Sequence, residues 1–283
     1  MQTNQANFSI KRMSNMFSIE RSGYYAWAKR KPSNRAKSNE KLDKKITSIF
    51  NAHKSRYGAI RMTDELHDHG ERCSKNRVAR RMKRLGLRAK AKKKFKVTTD
   101  SNHHLPVAPN LLNRDFTAYA PNQKWCGDIS YIWTDEGWMY LAVIIDLYSR
   151  AVIGWSIQPM MSRQLVCDAL MMALWRRGFP RHVLFHSDRG SQYCSSDYQK
   201  MLKSFSFICS MSRKGNCWDN AVAESFFHTM KTELVYTERY VTRKIAKQSI
   251  FQYIEVYYNR VRRHSTIGSI APDVFENQLK DVA

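Results

Sequence analysis

No apolar run in this sequence is long enough to cross a bilayer. The longest, Trp138 to Ile145, has eight residues, against the ~20 that a membrane helix needs. The opening stretch MQTNQANFSI has no apolar core of the kind a secretion signal requires, so the chain is expected neither in a membrane nor outside the cell. Cysteine is sparse and unpatterned. The six residues at 73, 126, 167, 194, 209 and 217 include no CxxC pair, which argues against a disulfide framework or a cysteine zinc site and for a reducing cytoplasm. No internal repeat and no long heptad pattern is present, which excludes a solenoid or an extended coiled coil. Acids are few: 24 Asp+Glu face 48 Lys+Arg, a formal net charge of +24.

What is present is a chain of 283 residues, 43% hydrophobic and 12% aromatic, enough to build a core and to exclude wholesale disorder. The positive charge is concentrated in front. Residues 1–120 hold 28 basic and 9 acidic side chains, a net of +19, whereas 121–283 hold 20 and 15, a net of +5. Such asymmetry points to a polyanion-binding front half on a more ordinary globular back half. Nucleic acid is the natural partner, because each neutralised phosphate releases a counterion.

The chain is expected to divide into a helical segment over 1–35, a basic helix-turn-helix region over 36–96, a linker over 97–121 and a catalytic core over 122–283 ending in a helix and a basic tail. In the first segment Ser22 and Gly23 are expected to break the helix, and 31–39 reads as a polar linker. Helices are predicted over 40–52 and 59–69, the second stopping at Gly70. Ser74 is a plausible N-cap for a third helix that Gly86 ends. On it Val78, Met82 and Leu85 form an apolar stripe, and Lys75, Arg77, Arg80, Arg81, Lys83 and Arg84 fill the rest. A helix, a short turn and a strongly basic helix is the plan of a DNA reader. The run RAKAKKKFK at 88–96 is expected to lie as an arm along phosphates.

From Gln123 the pattern changes. KWCGDISYIWT, WMYLAVIIDLYS and RAVIGWSIQ read as a strand meander. A helix over 162–177, a buried strand over 182–188, a helix over 195–204, a strand over 207–212, a loop over 213–220 and helices over 221–236 and 242–259 follow. The fold class is therefore α/β, with a mixed five-stranded sheet flanked by helices. That order is compatible with the ribonuclease-H-like sheet, though several three-layer folds share it.

Three acids fall where a site is expected. Asp128 lies inside an apolar strand, where a charge is costly unless something pairs with it. Asp188 follows the buried strand VLFHS, at a strand end where α/β sites form. Glu224 lies on the helix that starts near Ala221, with 35 residues between it and Asp188. Asp146, at the end of another apolar run, is a rival. It is expected to be structural, capping or pairing with Arg150. Asp219 is expected to open the helix of Glu224 as an acid favoured by the macrodipole.

WCGDISYI, HSDRGSQY, GNCWDNAVAESFF and YNRVRRHSTIG resemble the catalytic core of insertion-sequence transposases of the IS-three group, a core similar in turn to that of retroviral integrases. Upstream, RSGYYAW, RYGAIRM and RVARRMKRLGL resemble the front of the same chains, so the likeness covers nearly the whole sequence. It implies a ribonuclease-H-like fold, a DDE site of Asp128, Asp188 and Glu224, and two Mg²⁺ ions for which Mn²⁺ can substitute. It also implies cleavage at the element's terminal repeats and strand transfer of the 3′-hydroxyl into target DNA, in the bacterial cytoplasm at the nucleoid. Three carboxylates suit that chemistry. Two Mg²⁺ ions stabilise the attacking and leaving oxygens of an in-line displacement, and Mg²⁺ keeps waters and takes few hard oxygen ligands. Asp128 would bridge both ions, Asp188 would hold one and Glu224 the other.

Lys231, seven residues after Glu224, and His228, one turn on, are expected on the same helix face. The resemblance implies that Lys231 holds a phosphate of terminal DNA; the alternative is an exposed helix lysine. Asn220 orients substrate or caps the helix. Arg260, Arg262 and Arg263 form a cationic cluster that binds phosphate or packs on the surface. Tyr253, Tyr257 and Tyr258 read as core. The histidines lack the pattern of the zinc module of retroviral integrases. The family's synaptic complexes imply a homo-oligomer, and its frameshifted gene pairs imply a first-frame partner supplying a zipper. A nuclease that cuts without joining, and a DNA-binding regulator with an inactive core, are the competing functions.

Overall fold

Serine hydroxyls set most of the helix starts in the basic front of the chain. Ser9 accepts from the Arg12 amide at 3.3 Å and opens α1 (Ile10–Met16), which α2 (Arg21–Ala28) follows. Ser33 accepts from Ala36 at 3.1 Å and opens α3 (Asn34–Ala52). After α4 (Ala59–Asp68), Ser74 accepts from Arg77 at 3.3 Å and opens α5 (Lys75–Arg84). The computed structural model describes residues 1–90 and 105–280, and the chain resolves into two compact units, 1–89 and 90–283. The basic run 88–96 therefore lies mostly outside the described residues.

In the first unit, Leu42, Ile46 and Phe50 of α3, Met62 and Leu66 of α4, and Val78 and Met82 of α5 are buried together with Tyr57. Two expectations fail here. Ser22 and Gly23 lie inside α2, where a glycine in the first turn costs only about 1 kcal/mol; the break falls earlier, at Ser18, whose φ is 52°. The polar stretch expected as a linker is helical from Asn34. Its polarity reflects what it meets, since Arg77 donates to the Asn39 side-chain oxygen Oδ1 at 2.9 Å and to the Ser38 hydroxyl at 2.9 Å.

The second unit is built on a five-stranded sheet of β1 (Lys124–Thr134), β2 (Gly137–Asp146), β3 (Val152–Gln158), β4 (Leu184–Ser187) and β5 (Ile208–Met211). The spatial order is β3-β2-β1-β4-β5, with β1–β2 and β2–β3 antiparallel and β1–β4 and β4–β5 parallel. This is the mixed five-stranded sheet that the strand and helix order predicts, in the ribonuclease-H-like form that the family resemblance implies. Helices α6 (Arg163–Arg176), α7 (Ser191–Cys194) and α8 (Ser196–Ser204) cover one face. Helices α9 (Ala221–Glu233) and α10 (Arg243–Phe251) cover the other, and α11 (Pro272–Lys280) ends the described chain.

Alternation along β1 feeds both faces. Trp125 is buried with α6–α8, whereas Cys126 and Ile132 are buried with Ala223, Phe226 and Met230 of α9. The predicted helix over 242–259 is α10 continued by a π-helical turn, Gln252–Tyr258, and α9 stops at Glu233. Helix α11 replaces what the sequence suggests is a basic tail. Pro272 opens it, Phe275 lies 5.0 Å from the Tyr148 ring, and Glu276 pairs with Arg177. Among the described residues no helix is long and apolar enough to cross a membrane.

Gly154 permits the approach of α6 to β3, because a Cβ there would collide with the Ala169 carbonyl and sit 2.8 Å from the Ala173 methyl. Both obstacles belong to the helix body and cannot rotate away. Gly154→Ala is therefore expected to destabilise the second unit by about 1–3 kcal/mol, read as a lowered urea midpoint with an unchanged slope.

Candidate active site

The site begins with a register. Parallel pairing sets Lys124 opposite Leu184, Trp125 opposite Phe185 and Cys126 opposite His186. Asp128 and Asp188 each lie two residues further on, and period-two alternation gives them the same face as Cys126 and His186. That is the face covered by α9. At this level β4 has ended, and Asp188 turns back to accept from the Gly190 amide at 2.9 Å. Gly127 allows close packing from the opposite side: a Cβ there would sit 2.8 Å from the Phe185 ring.

Helix α9 brings the third acid. Asn220, the residue that precedes the helix at its N-cap, is buried and donates from Nδ2 to the Gly127 carbonyl at 3.1 Å, which bolts the helix start to the strand beside Asp128. Glu224 sits in the first turn of this helix. Asp128, Asp188 and Glu224 are all half-buried. Burial pushes the Asp128 carboxyl well above the usual carboxylate range, and the charges of Asp188 and Glu224 push it further, against the Ile129 amide and Lys231. Burial and then Asp188 raise Glu224. The sequence-predicted acids therefore converge as electrostatic neighbours. Among the described residues, no group of three His, Cys, Asp or Glu side chains forms a ready-made metal cage.

Lys231 supplies the opposing charge. Its ammonium lies 4.6 Å from the centre of the Tyr131 ring, a cation–π geometry. Burial lowers its pKa, and Asp128 works against that shift. His228 is half-buried on the same helix.

Asp146 is structural, as expected, but its partner is not Arg150. Its carboxylate is buried and accepts from the Asn122 amide at 2.9 Å and the Tyr148 amide at 3.0 Å, with Arg177 at 3.7 Å. Arg150 instead donates to the Phe116 carbonyl. Asp219 is more than a helix-opening acid. It is fully buried, and its carboxylate accepts from the Arg213 amide, the Arg213 and Arg114 guanidiniums and the Asn110 amide at 2.7–2.9 Å. Nothing in the sequence near Asp219 signals this clamp, because two of its partners lie more than a hundred residues upstream.

The expected basic contacts divide. Arg80 and Arg84 are exposed on α5. Arg77 is held by Asn39 and Ser38, and Arg81 pairs with Asp43, lowering the Asp43 pKa. At the C-terminal cluster, Arg260 is exposed and lies 3.9 Å from Asp273, while Arg263 donates to the Ser269 carbonyl. Arg262 departs from the phosphate-binding expectation. It is buried, forks onto Glu233 at 2.9–3.1 Å, and cannot reach DNA without breaking a buried ion pair that Tyr253 also joins. Tyr253 and Tyr258 are core, as expected.

Comparison with known proteins identifies the family of the chain. A family model described as an integrase core domain matches residues 118–217, a second of the same description matches 224–279, and a model of an HTH-like domain matches 37–95. An integrase core joined to a helix-turn-helix-like module is thus the class of the protein. The Escherichia coli K12 transposase InsF for insertion sequence IS3A is 51% identical over 280 residues, covering 98% of this chain and 97% of that one. A 31 kDa protein of insertion element IS600 from Shigella sonnei is 44% identical over 271 residues, 96% of this chain and all of that one. The chain belongs to the IS3 transposase family. Among solved structures, a chain of a simian T-cell lymphotropic virus intasome matches with a TM-score of 0.48 at 15% identity, over 82% of this chain and 74% of that one.

The Asp219 clamp yields a pH prediction. Its bonded cations hold the carboxyl below its ordinary value of 3.8. The unfolded state therefore binds more protons as acid is added, so the stabilisation is complete above about pH 4 and is lost as pH falls through the depressed folded value. Asp219→Asn is expected to cost about 1–3 kcal/mol at pH 7 and to flatten this part of the acid limb, measured by urea unfolding from pH 7 to pH 2.

Proposed function

We propose that this transposase is a DDE polynucleotidyl transferase that cuts DNA at the ends of its element and joins the freed 3′-hydroxyl to target DNA. What supports this reading is that the β1–β4 register and the Asn220–Gly127 bond hold the three acids' elements together. Asp188 and Glu224 raise the Asp128 carboxyl, and Asp188 raises that of Glu224. Structural ion-pair networks usually set opposite charges together. Three neighbouring acids, with Lys231 acting on Asp128, are an arrangement that a divalent cation stabilises.

The donor set suits Mg²⁺, a hard cation that takes a few carboxylate oxygens and keeps waters, and each of the three residues is only half-buried. Asp128, Asp188 and Glu224 would hold two such ions, with Mn²⁺ able to substitute. When bound, they lower the pKa of attacking water and neutralise charge on the attacking and leaving oxygens. The protein's part is placement. The β1–β4 register and the Asn220 bolt fix the carboxylates, and Lys231, steered by the Tyr131 ring, offers its ammonium to a phosphate beside Asp128. In cleavage, water oxygen bonds to phosphorus as the bond to the departing 3′-oxygen breaks. In joining, that 3′-hydroxyl attacks a target phosphodiester and expels another 3′-oxygen.

Arg77, Arg80, Arg81 and Arg84 of α5, with Arg260 and Arg263, are proposed to contact DNA, Arg80 and Arg84 being the most available. His228, on the helix of Glu224, is likewise proposed to contact DNA. Synapsis of two ends calls for a homo-oligomer, a first-frame product of the same element is a candidate partner, and the nucleoid is the place of action.

Incubating the chain with labelled duplex carrying the element's terminal sequence is expected to give cleaved and then joined products with Mg²⁺, and neither with chelator. Glu224→Gln should reduce both steps by at least about 10²–10³-fold while end binding persists. Cleavage without joining would identify a nuclease, and unchanged behaviour of Glu224→Gln a DNA-binding regulator.

A further inference from the structure

Trp218 is 69% exposed, yet it sits between two of the most firmly held residues of the second unit. It lies in the single turn Cys217–Asn220 that leads into α9. On its C-terminal side Asp219 is fully buried under the Arg213, Arg114 and Asn110 bonds, and Asn220 is tied to the Gly127 carbonyl. On the N-terminal side Arg114 also donates to the Asn216 carbonyl oxygen of the side chain at 3.0 Å. The backbone that carries the indole is thus fixed from both directions, while the ring itself stands in solvent.

A large aromatic surface kept in water gives up the stabilisation that its burial would provide. Here the exposure is imposed by anchors on both sides rather than by a mobile loop. The same anchors hold its backbone two residues before Asn220, whose side chain bonds the Gly127 carbonyl next to Asp128, and six residues before Glu224 in the sequence. The surroundings are cationic: the Arg213 and Arg114 guanidiniums that grip Asp219 keep 49% and 46% of their side-chain surface exposed. Two cations against one buried carboxylate leave net positive charge on the partners of the residues that flank the indole, Asn216 and Asp219.

A flat aromatic face in water, on a turn held by half-exposed arginines, fits a nucleobase and its phosphate. Every base has a π-face, so such stacking tolerates any sequence, and a base can reach the ring only when it is unpaired. We infer that Trp218 is a stacking platform for an unpaired base next to the scissile phosphate, with Arg213 and Arg114 facing that nucleotide's backbone. The inference rests on the DNA-transferase function proposed above and adds a positioning residue to it. Frayed or single-stranded ends would be held with the phosphate over the carboxylates, and fully paired ends would first have to open.

The test is a binding cycle with the full-length chain. The probes are a duplex of the element's end whose last three bases are unpaired, and the same duplex with abasic sites at those positions. Wild type is expected to bind the unpaired end about tenfold more tightly than the abasic one. Trp218→Ala should lose that tenfold on the unpaired end and be indifferent to the abasic change, whereas Trp218→Phe should retain most of the preference. The inference is overturned if abasic sites weaken Trp218→Ala as much as wild type. It is also overturned if Trp218→Ala changes only sedimentation, which would make the indole a contact between copies of the chain. Should wild type join ends normally while showing no Trp218-dependent preference, the inference alone falls. Should wild type neither cleave nor join any end, the proposed function falls with it.

Discussion

The parallel pairing of β1 with β4 is the constraint on which the candidate site depends. With Cys126 opposite His186, the next outward positions on the same face are Asp128 and Asp188. A slip of one residue would turn one of the two to the opposite face, among the side chains packed under α6–α8. The register is held by a buried core on both sides of the strand: Trp125 and Phe185 on one face, Cys126 against α9 on the other. Glu224 then depends on the same strand, because the Asn220 amide reaches the Gly127 carbonyl directly beside Asp128.

Much of this was legible in the sequence, and for identifiable reasons. Asp128 interrupts an apolar strand, and an unexplained buried charge is a strong local signal. Asp188 ends a short apolar run, and the 35-residue interval to Glu224 was the family's own spacing. The sheet followed from strand periodicity. What stayed hidden was tertiary. Arg262 resembles its exposed neighbours in the sequence and differs only because Glu233 and Tyr253 close around it. Asp146 is structural, as the sequence leads one to expect, but its partner Arg177 lies on a different element from the nearby Arg150. Helix α3 starts early because its first turns are polar for the sake of Arg77, a contact across 38 residues.

The division of labour among the basic residues has the same origin. Net charge identifies a polyanion partner, but it cannot say which cations are spent on the fold. On α5, Arg77 and Arg81 hold α3 while Arg80 and Arg84 face outward. In the second unit, Arg213 and Arg114 stabilise the turn before α9 and still present half of their surface. A cation that serves both purposes positions a loop and lines a binding surface at once, and here both lie at the start of the helix that carries Glu224.

The most direct test of the account is a crystal structure of the chain with Mn²⁺ and a duplex of its element's end. The anomalous signal should place ions within about 2.2 Å of carboxylate oxygens from Asp128, Asp188 and Glu224, near the distance expected for small divalent cations. Ions bound elsewhere, or carboxylates held apart with DNA in place, would contradict it.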